Sequence, residues 1–170
     1  DPTELQQVVM NLCTNGAHAM KNHGHLRVGL DTVEVEHGLA LSHGSLPAGR
    51  YVRLAVTDTG SGIDAAALER ILEPFFTTKA VGQGTGLGLS TVHGIVTQHG
   101  GALNVDSLTG SGTTFAAYFP QTQDPAVEDR LGHHHGRLGK AGVDLVDVAA
   151  PDGLTETIEE VGDAQRRHQQ

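Results

Sequence analysis

A glycine-rich segment followed by a helical pattern constrains the fold of this chain more than any other feature. Residues 82–94 read GQGTGLGLSTVHG, in which four glycines alternate with single residues before helical spacing begins. Glycines in front of a helix are typical of phosphate sites, because bare N–H groups and the helix N-terminus attract anions. The segment lacks the Gly-Lys-Ser/Thr of a P-loop, and no G-x-G-x-x-G fingerprint fits it. It is therefore either a flexible loop without a ligand or a third kind of nucleotide site.

The distribution of aromatic residues divides the chain into two parts. All four Phe and both Tyr lie between residues 51 and 119, while residues 121–170 hold 10 of the 20 acidic side chains. We therefore expect one domain over residues 1–120 and a weakly hydrophobic tail over 121–170, with disorder as the default expectation for that tail. A strand at 143–148 is the alternative there. Because the first residues form a helix-start signal without a methionine, we also expect the chain to be a piece of a longer protein.

Charge and cysteine content exclude several classes of function. The formal net charge of −9 argues against a nucleic-acid-binding surface, because little would neutralise phosphates in bulk. A single cysteine, Cys13, excludes a disulfide framework and a cysteine-rich zinc site, and its apolar context predicts a buried thiol. No apolar run approaches the roughly 20 residues that a membrane span needs, and no signal peptide is present. We expect a cytoplasmic domain without membrane contact, which leaves room for a membrane anchor elsewhere in a longer protein.

Residues 3–21 have the periodicity of an amphipathic helix, with apolar residues spaced at i, i+3, i+4 and i+7. Asn11 and Asn15 are four residues apart and lie on the shoulder of the apolar face. Asparagine is a poor helix former, so two of them inside a helix need a reason. Solvent exposure is one reading and a functional role is the other.

Two segments, 25–36 and 51–58, are predicted to be strands. In the second, Val52, Leu54 and Val56 alternate with more polar residues, and Asp58 occupies the next position in this apolar series. The Asp58 carboxylate is therefore expected to point to the buried side. Since a buried, unpaired carboxylate is costly, it should have a dedicated partner.

The remaining pattern completes an α+β fold. Helices are predicted at 64–72 and 88–99, and a hairpin at 102–106 and 113–119, with two glycines ending the second helix. Sequence-adjacent strands should pair antiparallel. We expect a two-layer α/β sandwich with the helices on one face of a mixed, mainly antiparallel sheet.

The order and spacing of four short motifs resemble the ATP-binding catalytic domain of bacterial sensor histidine kinases, in the superfamily with DNA gyrase B, mismatch-repair ATPases and heat-shock chaperones. Asn11 and Asn15 resemble the N box and DTGSGI at 58–63 the first glycine box. EPFFTTK at 73–79 resembles the F box, and GQGTGLGLS at 82–90 the second glycine box. The match covers residues 1 to about 120, and the first strand of the family's fold is not recognised in it.

The resemblance implies ATP and Mg²⁺ as ligands. Asp58 would accept the amine of adenine with help from Thr113, Asn15 would bind Mg²⁺, and Asn11 would lie near the metal and the terminal phosphates. Lys79 would reach the terminal phosphate, and residues 77–86 would form a lid that Phe75 and Phe76 anchor. The other implied nucleotide-binding residues are Gly60, Gly62, Ile63, Thr78, Gly84, Thr85, Gly86, Leu87, Gly88 and Leu89.

Three activities fit this resemblance. A kinase would transfer the γ-phosphate of ATP to a histidine on a dimerisation domain, expected upstream, for relay to a response regulator receiver domain. A superfamily ATPase would hydrolyse ATP, and a nucleotide-dependent switch would bind a partner. By resemblance, the hydrolases carry a glutamate at the position of Asn11, and an amide cannot act as a general base near neutral pH. Asn11 therefore favours the kinase, with Asn11 and Lys79 as the catalytic residues.

Overall fold

The computed structural model describes residues 1–21, 23–78 and 84–121. These residues form three helices and six strands in the following order: α1 (Pro2–Ala19), β1 (Leu26–Val35), β2 (Leu39–Leu41), β3 (Gly44–Leu46), β4 (Gly49–Asp58), α2 (Ala65–Leu68), α3 (Gly88–Gln98), β5 (Ala102–Leu108) and β6 (Gly112–Pro120).

Four of the strands form the main sheet, in the order β1-β4-β6-β5. Every pair in it is antiparallel, so the predicted α+β class is confirmed, while the part of the chain described here contains no parallel pair. The register sets Asp58 of β4 opposite Leu26 of β1 and Thr113 of β6. The last residue of β4 therefore lies between two neighbouring strands, at one end of the sheet.

The main core lies between one face of the sheet and the helices. α1 contributes Val8 and Leu12, and α3 contributes Val92 and Val96, all of them fully buried. Burying one such side chain stabilises a fold by about 1.5–3 kcal/mol relative to exposure. Cys13 is part of this core, and burial raises the pKa of its thiol to about 11, which confirms the buried thiol and makes it unreactive.

The start of α1 and the end of α3 are capped. The Asp1 carboxylate accepts the backbone N–H of Thr3 at 2.8 Å, which caps the start of α1. At the end of α3, Gly100 takes a φ of +71°, and Gly101 N–H donates to the carbonyl of Val96 at 2.9 Å. These contacts form the glycine-dependent stop that the sequence predicts.

The sequence analysis assigned no element to the segment between β1 and β4, which contains two short strands. β2 and β3 form a hairpin that covers part of the sheet face opposite the helices. Leu46 of β3 is 1% exposed and packs in a second apolar cluster with Tyr51, Ala116 and Tyr118. The strands are only three residues long, too short for an alternating pattern to stand out.

The predicted helix at 64–72 is also too long. Only Ala65–Leu68 is helical, although Asp64 caps it as expected, accepting the Ala67 N–H at 2.8 Å. Residues 122–170, with the 143–148 pattern, lie outside the described residues. No described helix has both the length and the apolar composition needed to cross a membrane.

Candidate functional site

The side chain of Asp58 is buried on the helix face of the sheet, with 4% exposure. The inward orientation predicted from the alternation along this strand is therefore confirmed. One carboxylate oxygen, Oδ1, accepts the backbone N–H of Gly60 at 2.8 Å. Burial raises the pKa of Asp58, while the backbone N–H groups of Gly60 and Thr113 act in the opposite direction. The sheet thus holds a carboxylate in an environment that disfavours its charge.

Gly16 allows α1 to approach this carboxylate closely. A Cβ atom at Gly16 would lie 2.6 Å from Cδ1 of Leu26 and 3.2 Å from Cβ of Asp58. Gly16 was not predicted as a site residue. A signal was present, because glycine inside a helix costs about 1 kcal/mol relative to alanine and so suggests a close approach.

The first glycine box is fixed between α1 and the turn that joins β5 to β6. A Cβ at Gly60 would lie 2.7 Å from the carbonyl oxygen of Ala19, and Ser61 N–H donates to that oxygen at 3.1 Å. Gly62 has a φ of +69°, and a Cβ there would collide with the carbonyl of Leu108. The resemblance implies that these two glycines bind the nucleotide, whereas in the structure the atoms nearest to their Cβ positions belong to Ala19 and to the backbone of Leu108 and Thr109.

Thr113 and Ser107 join this box to the end of the sheet. Thr113 is 4% exposed, and its Oγ1 lies 2.8 Å from Oγ of Ser107. Ser107 Oγ also accepts the backbone N–H of Ile63 at 2.8 Å. Ser107 was not predicted as a site residue. We refer to the following residues as the Asp58 cluster: Asp58, Gly60, Gly62, Ile63, Ser107 and Thr113.

A cavity of about 330 Å³ adjoins the Asp58 cluster. Its lining includes Asp58, Ser107 and Thr113 together with residues of the β5–β6 turn. Its lining also includes Thr57, Asp106 and Thr114, whose side chains alternate along the strands with those of Asp58, Ser107 and Thr113. This space therefore lies at the end of the sheet on the face away from the helices.

A second group of predicted residues meets at the start of α3. A Cβ at Gly88 would lie 3.6 Å from Oδ1 of Asn11 and 3.9 Å from Nδ2 of Asn15. Leu87, the N-cap of α3, provides no side-chain hydrogen bond to the helix. The first N–H groups of a helix lack intrahelical partners, so this end is suited to an anion. We refer to the following residues as the Gly88 cluster: Asn11, Asn15, Gly86, Leu87, Gly88 and Leu89.

The EPFFTTK segment contacts the Gly88 cluster through Phe75. Phe75 N–H donates to the carbonyl of Gly86 at 2.9 Å, and a Cβ at Gly86, where φ is +65°, would lie 2.5 Å from the carbonyl carbon of Phe75. The Phe75 ring is 74% exposed, so the expectation that it anchors the segment to the core is wrong. Phe76 does pack against the main core, and the Arg70 guanidinium lies 4.6 Å from its ring centre.

The predicted lid at 77–86 is described only in part. Thr78, Gly84 and Thr85 are exposed, and Thr85 Oγ1 accepts the Leu87 N–H at 3.3 Å. Lys79 and Gly82 lie outside the described residues, so the role predicted for Lys79 stays a prediction.

Comparison with known proteins shows which family this arrangement represents. Residues 1–123 match the family described as Histidine kinase-, DNA gyrase B-, and HSP90-like ATPase. The chain belongs to this family. Two sensor kinases are similar to this chain over 71% of its length. Sensor kinase CckA of Brucella abortus is 45% identical to it there, and sensor histidine kinase ZraS of Escherichia coli K12 is 42% identical. The matched regions span 13% and 22% of those two proteins.

A solved structure supports the same assignment. The mycobacterial sensor histidine kinase MprB shares 29% identity with the chain, with a TM-score of 0.52 over 71% of this chain and 72% of that one. The predicted family and α+β fold are thereby confirmed. So is the predicted type of domain, the ATP-binding catalytic domain of sensor histidine kinases.

The residues of this ATPase domain fit its two expected ligands. An ATP molecule needs a partner for its base and donors for its phosphates, and the Asp58 cluster and the uncapped start of α3 offer these groups. Within the described residues, no group of three or more His, Cys, Asp or Glu side chains is arranged to hold a metal ion. Mg²⁺ readily combines a single protein oxygen with phosphate oxygens and water, so the amides beside Gly88 suit it.

Proposed function

We propose that this chain is the catalytic domain of a two-component sensor kinase that transfers the γ-phosphate of ATP to a histidine on a dimerisation domain. The phosphate would then pass to the receiver domain of a response regulator. The sensor kinases among its relatives support this assignment at the level of the domain. The proposal extends it to the reaction and the partners.

The observation that carries the proposal is an amide beside the start of α3. Asn11 Oδ1 would lie 3.6 Å from a Cβ at Gly88, next to the helix end that suits phosphates. A carboxylate there could accept a proton from water, but an amide cannot do so near neutral pH. The arrangement therefore favours transfer of the phosphoryl group to a partner over hydrolysis.

The two clusters divide the binding of ATP in this proposal. In the Asp58 cluster, Asp58 and Thr113 bind the adenine, and Gly60, Gly62 and Ile63 shape the wall beside it. In the Gly88 cluster, the backbone N–H groups from Gly86 to Leu89 bind the phosphates. When bound, Mg²⁺ would neutralise phosphate charge, held by Asn15 with Asn11 beside it. Thr78, Lys79, Gly84 and Thr85 belong to the proposed lid over the triphosphate.

The proposal is tested by supplying the missing substrate. The purified chain is mixed with Mg·ATP labelled at the γ-phosphate and with a separate dimerisation domain that carries a histidine. We expect acid-labile label on that domain, none when its histidine is replaced by alanine, and little release of free phosphate without it. Rapid release of phosphate without the acceptor would instead indicate a superfamily ATPase. Tight ATP binding with neither reaction would indicate a nucleotide-dependent switch.

A further inference from the structure

Ser107 interrupts an otherwise apolar strand face at the edge of the Asp58 cluster. Leu103 and Val105 precede it on the same side of β5 and are buried in the main core. Ser107 is half-buried and lies opposite Thr113 in the pairing of β5 with β6. A hydroxyl in this position calls for hydrogen-bond partners.

The Ser107 hydroxyl has three polar contacts and only one proton. It accepts the N–H of Ile63 at 2.8 Å, donates to the carbonyl of Gly112 at 3.2 Å, and lies 2.8 Å from Oγ1 of Thr113. A serine hydroxyl offers one donor and two acceptor sites. All three contacts can be satisfied together in only one way, in which Ser107 donates to Gly112 and Thr113 donates to Ser107.

This assignment determines how Thr113 can meet a ligand. With its proton directed to Ser107, Thr113 Oγ1 keeps only acceptor capacity. Thr113 pairs with Asp58 in the register of β6 with β4, so the two side chains lie next to each other on the same face of the sheet, and the ionised carboxylate of Asp58 is also an acceptor. Where these two acceptors face position 6 of a purine, they can accept from the amine of adenine and they disfavour the carbonyl that guanine carries at that position.

We propose that Ser107 is a positioning residue for base selectivity, holding the Thr113 hydroxyl as an acceptor without touching the nucleotide. Replacing Ser107 with alanine frees the Thr113 proton. Thr113 can then donate to a carbonyl oxygen, and the site discriminates less well between adenine and guanine. This inference rests on the proposed function, because it requires Asp58 and Thr113 to meet the base.

The experiment compares ADP with GDP in the absence of Mg²⁺, so that the metal does not contribute. Dissociation constants are measured by displacement of a fluorescent ADP analogue. We expect the wild-type protein to prefer ADP and Ser107→Ala to reduce that preference about tenfold, the effect of about one hydrogen bond. Ser107→Cys keeps the side-chain size but hydrogen-bonds weakly, so it should reduce the preference as well even if the alanine variant folds poorly.

Ser42 supplies the matched control. Its Oγ accepts the backbone N–H of Val105 at 2.7 Å, a structural bond like the one Ser107 makes to Ile63, but in the segment that joins β2 to β3. Ser42→Ala should therefore cost similar stability and leave the preference for ADP unchanged.

A double-mutant cycle tests whether Ser107 acts through Thr113. Thr113→Val removes the hydroxyl, so adding Ser107→Ala to it should not change the ADP preference further. Additive effects of the two changes would overturn the inference, as would equal weakening of ADP and GDP by Ser107→Ala. A wild-type protein that binds neither nucleotide would instead show that the proposed function is wrong.

Discussion

The Asp58 cluster and the Gly88 cluster are built in opposite ways. The Asp58 cluster joins the ends of three strands to a loop whose backbone N–H groups bond to Asp58 and Ser107. The Gly88 cluster joins two helices and a loop, and the N-cap of α3 gives its helix no side-chain hydrogen bond. The first cluster is thus held by internal bonds, while the second presents N–H groups suited to an external acceptor.

This difference indicates that the two clusters bind different parts of the nucleotide. A buried carboxylate with fixed partners can select a base at little cost in ordering, because it is already in place. The first N–H groups of α3 have no intrahelical acceptor, and bound phosphates would supply acceptors for them. We therefore expect changes in the Asp58 cluster to alter selectivity or the fold, and changes in the Gly88 cluster to alter the response to phosphates and Mg²⁺.

Asp58→Asn should have the strongest effect on binding. The amide can still accept the Gly60 N–H, but its NH₂ group then faces the amine of adenine, where two donors meet. We expect ATP affinity to fall about 100-fold, toward the upper end of the cost of a buried unpaired group. Calorimetric titration of the folded variant measures this. Affinity equal to wild type would remove Asp58 from the base site.

The stability of the same variant serves as its control. Because burial raises the pKa of Asp58, this carboxyl stabilises the fold most at pH values below its unfolded pKa. That contribution is lost as the pH rises through the folded pKa. The amide of the Asp58→Asn variant does not titrate, so near neutral pH the variant without ligand should be at least as stable as wild type in denaturant unfolding.

Gly62→Ala should weaken the fold itself, and Gly110→Ala provides the comparison. Both glycines have positive φ, but only at Gly62 would the new Cβ collide with backbone, whereas Gly110 has open space. A left-handed conformation costs an alanine about 1–2 kcal/mol, and the collision adds to this. We expect the free energy of unfolding to fall by about 2 kcal/mol more for Gly62→Ala. Equal losses would mean that the loop moves away from Leu108 freely.

Asn15→Ala should have a smaller effect on nucleotide affinity, limited to binding that involves Mg²⁺. We expect Mg·ATP affinity to fall about tenfold, while ADP binding without Mg²⁺ changes by less than about twofold. Thr14→Ala, an exposed neighbour on α1, should leave both unchanged. If the affinity for ADP without Mg²⁺ fell to the same degree, Asn15 would contribute to helix packing and not to metal binding.

The alternation of apolar residues along the strands and the spacing of the motifs predicted much of this site from the sequence. The inward side chain of Asp58 followed from the alternation on β4, and the contact between the asparagine pair and the second glycine box agreed with the resemblance. The same alternation would have identified Ser107, but β5 was predicted to end at residue 106, two residues before its end at Leu108. The exposure of Phe75 could not be predicted, because it depends on a positive φ of 68° and a bond to Gly86, which no local pattern encodes.

Hydrogen–deuterium exchange with and without Mg·ATP tests the division between the clusters. Amides at 58–63 and 107–113 should exchange slowly in both states, because hydrogen bonds within the fold already protect them. Amides at 86–89 should exchange quickly in the free protein and become strongly protected when Mg·ATP binds. Unchanged exchange at 86–89 in the presence of saturating Mg·ATP would contradict the assignment of the phosphates to the start of α3.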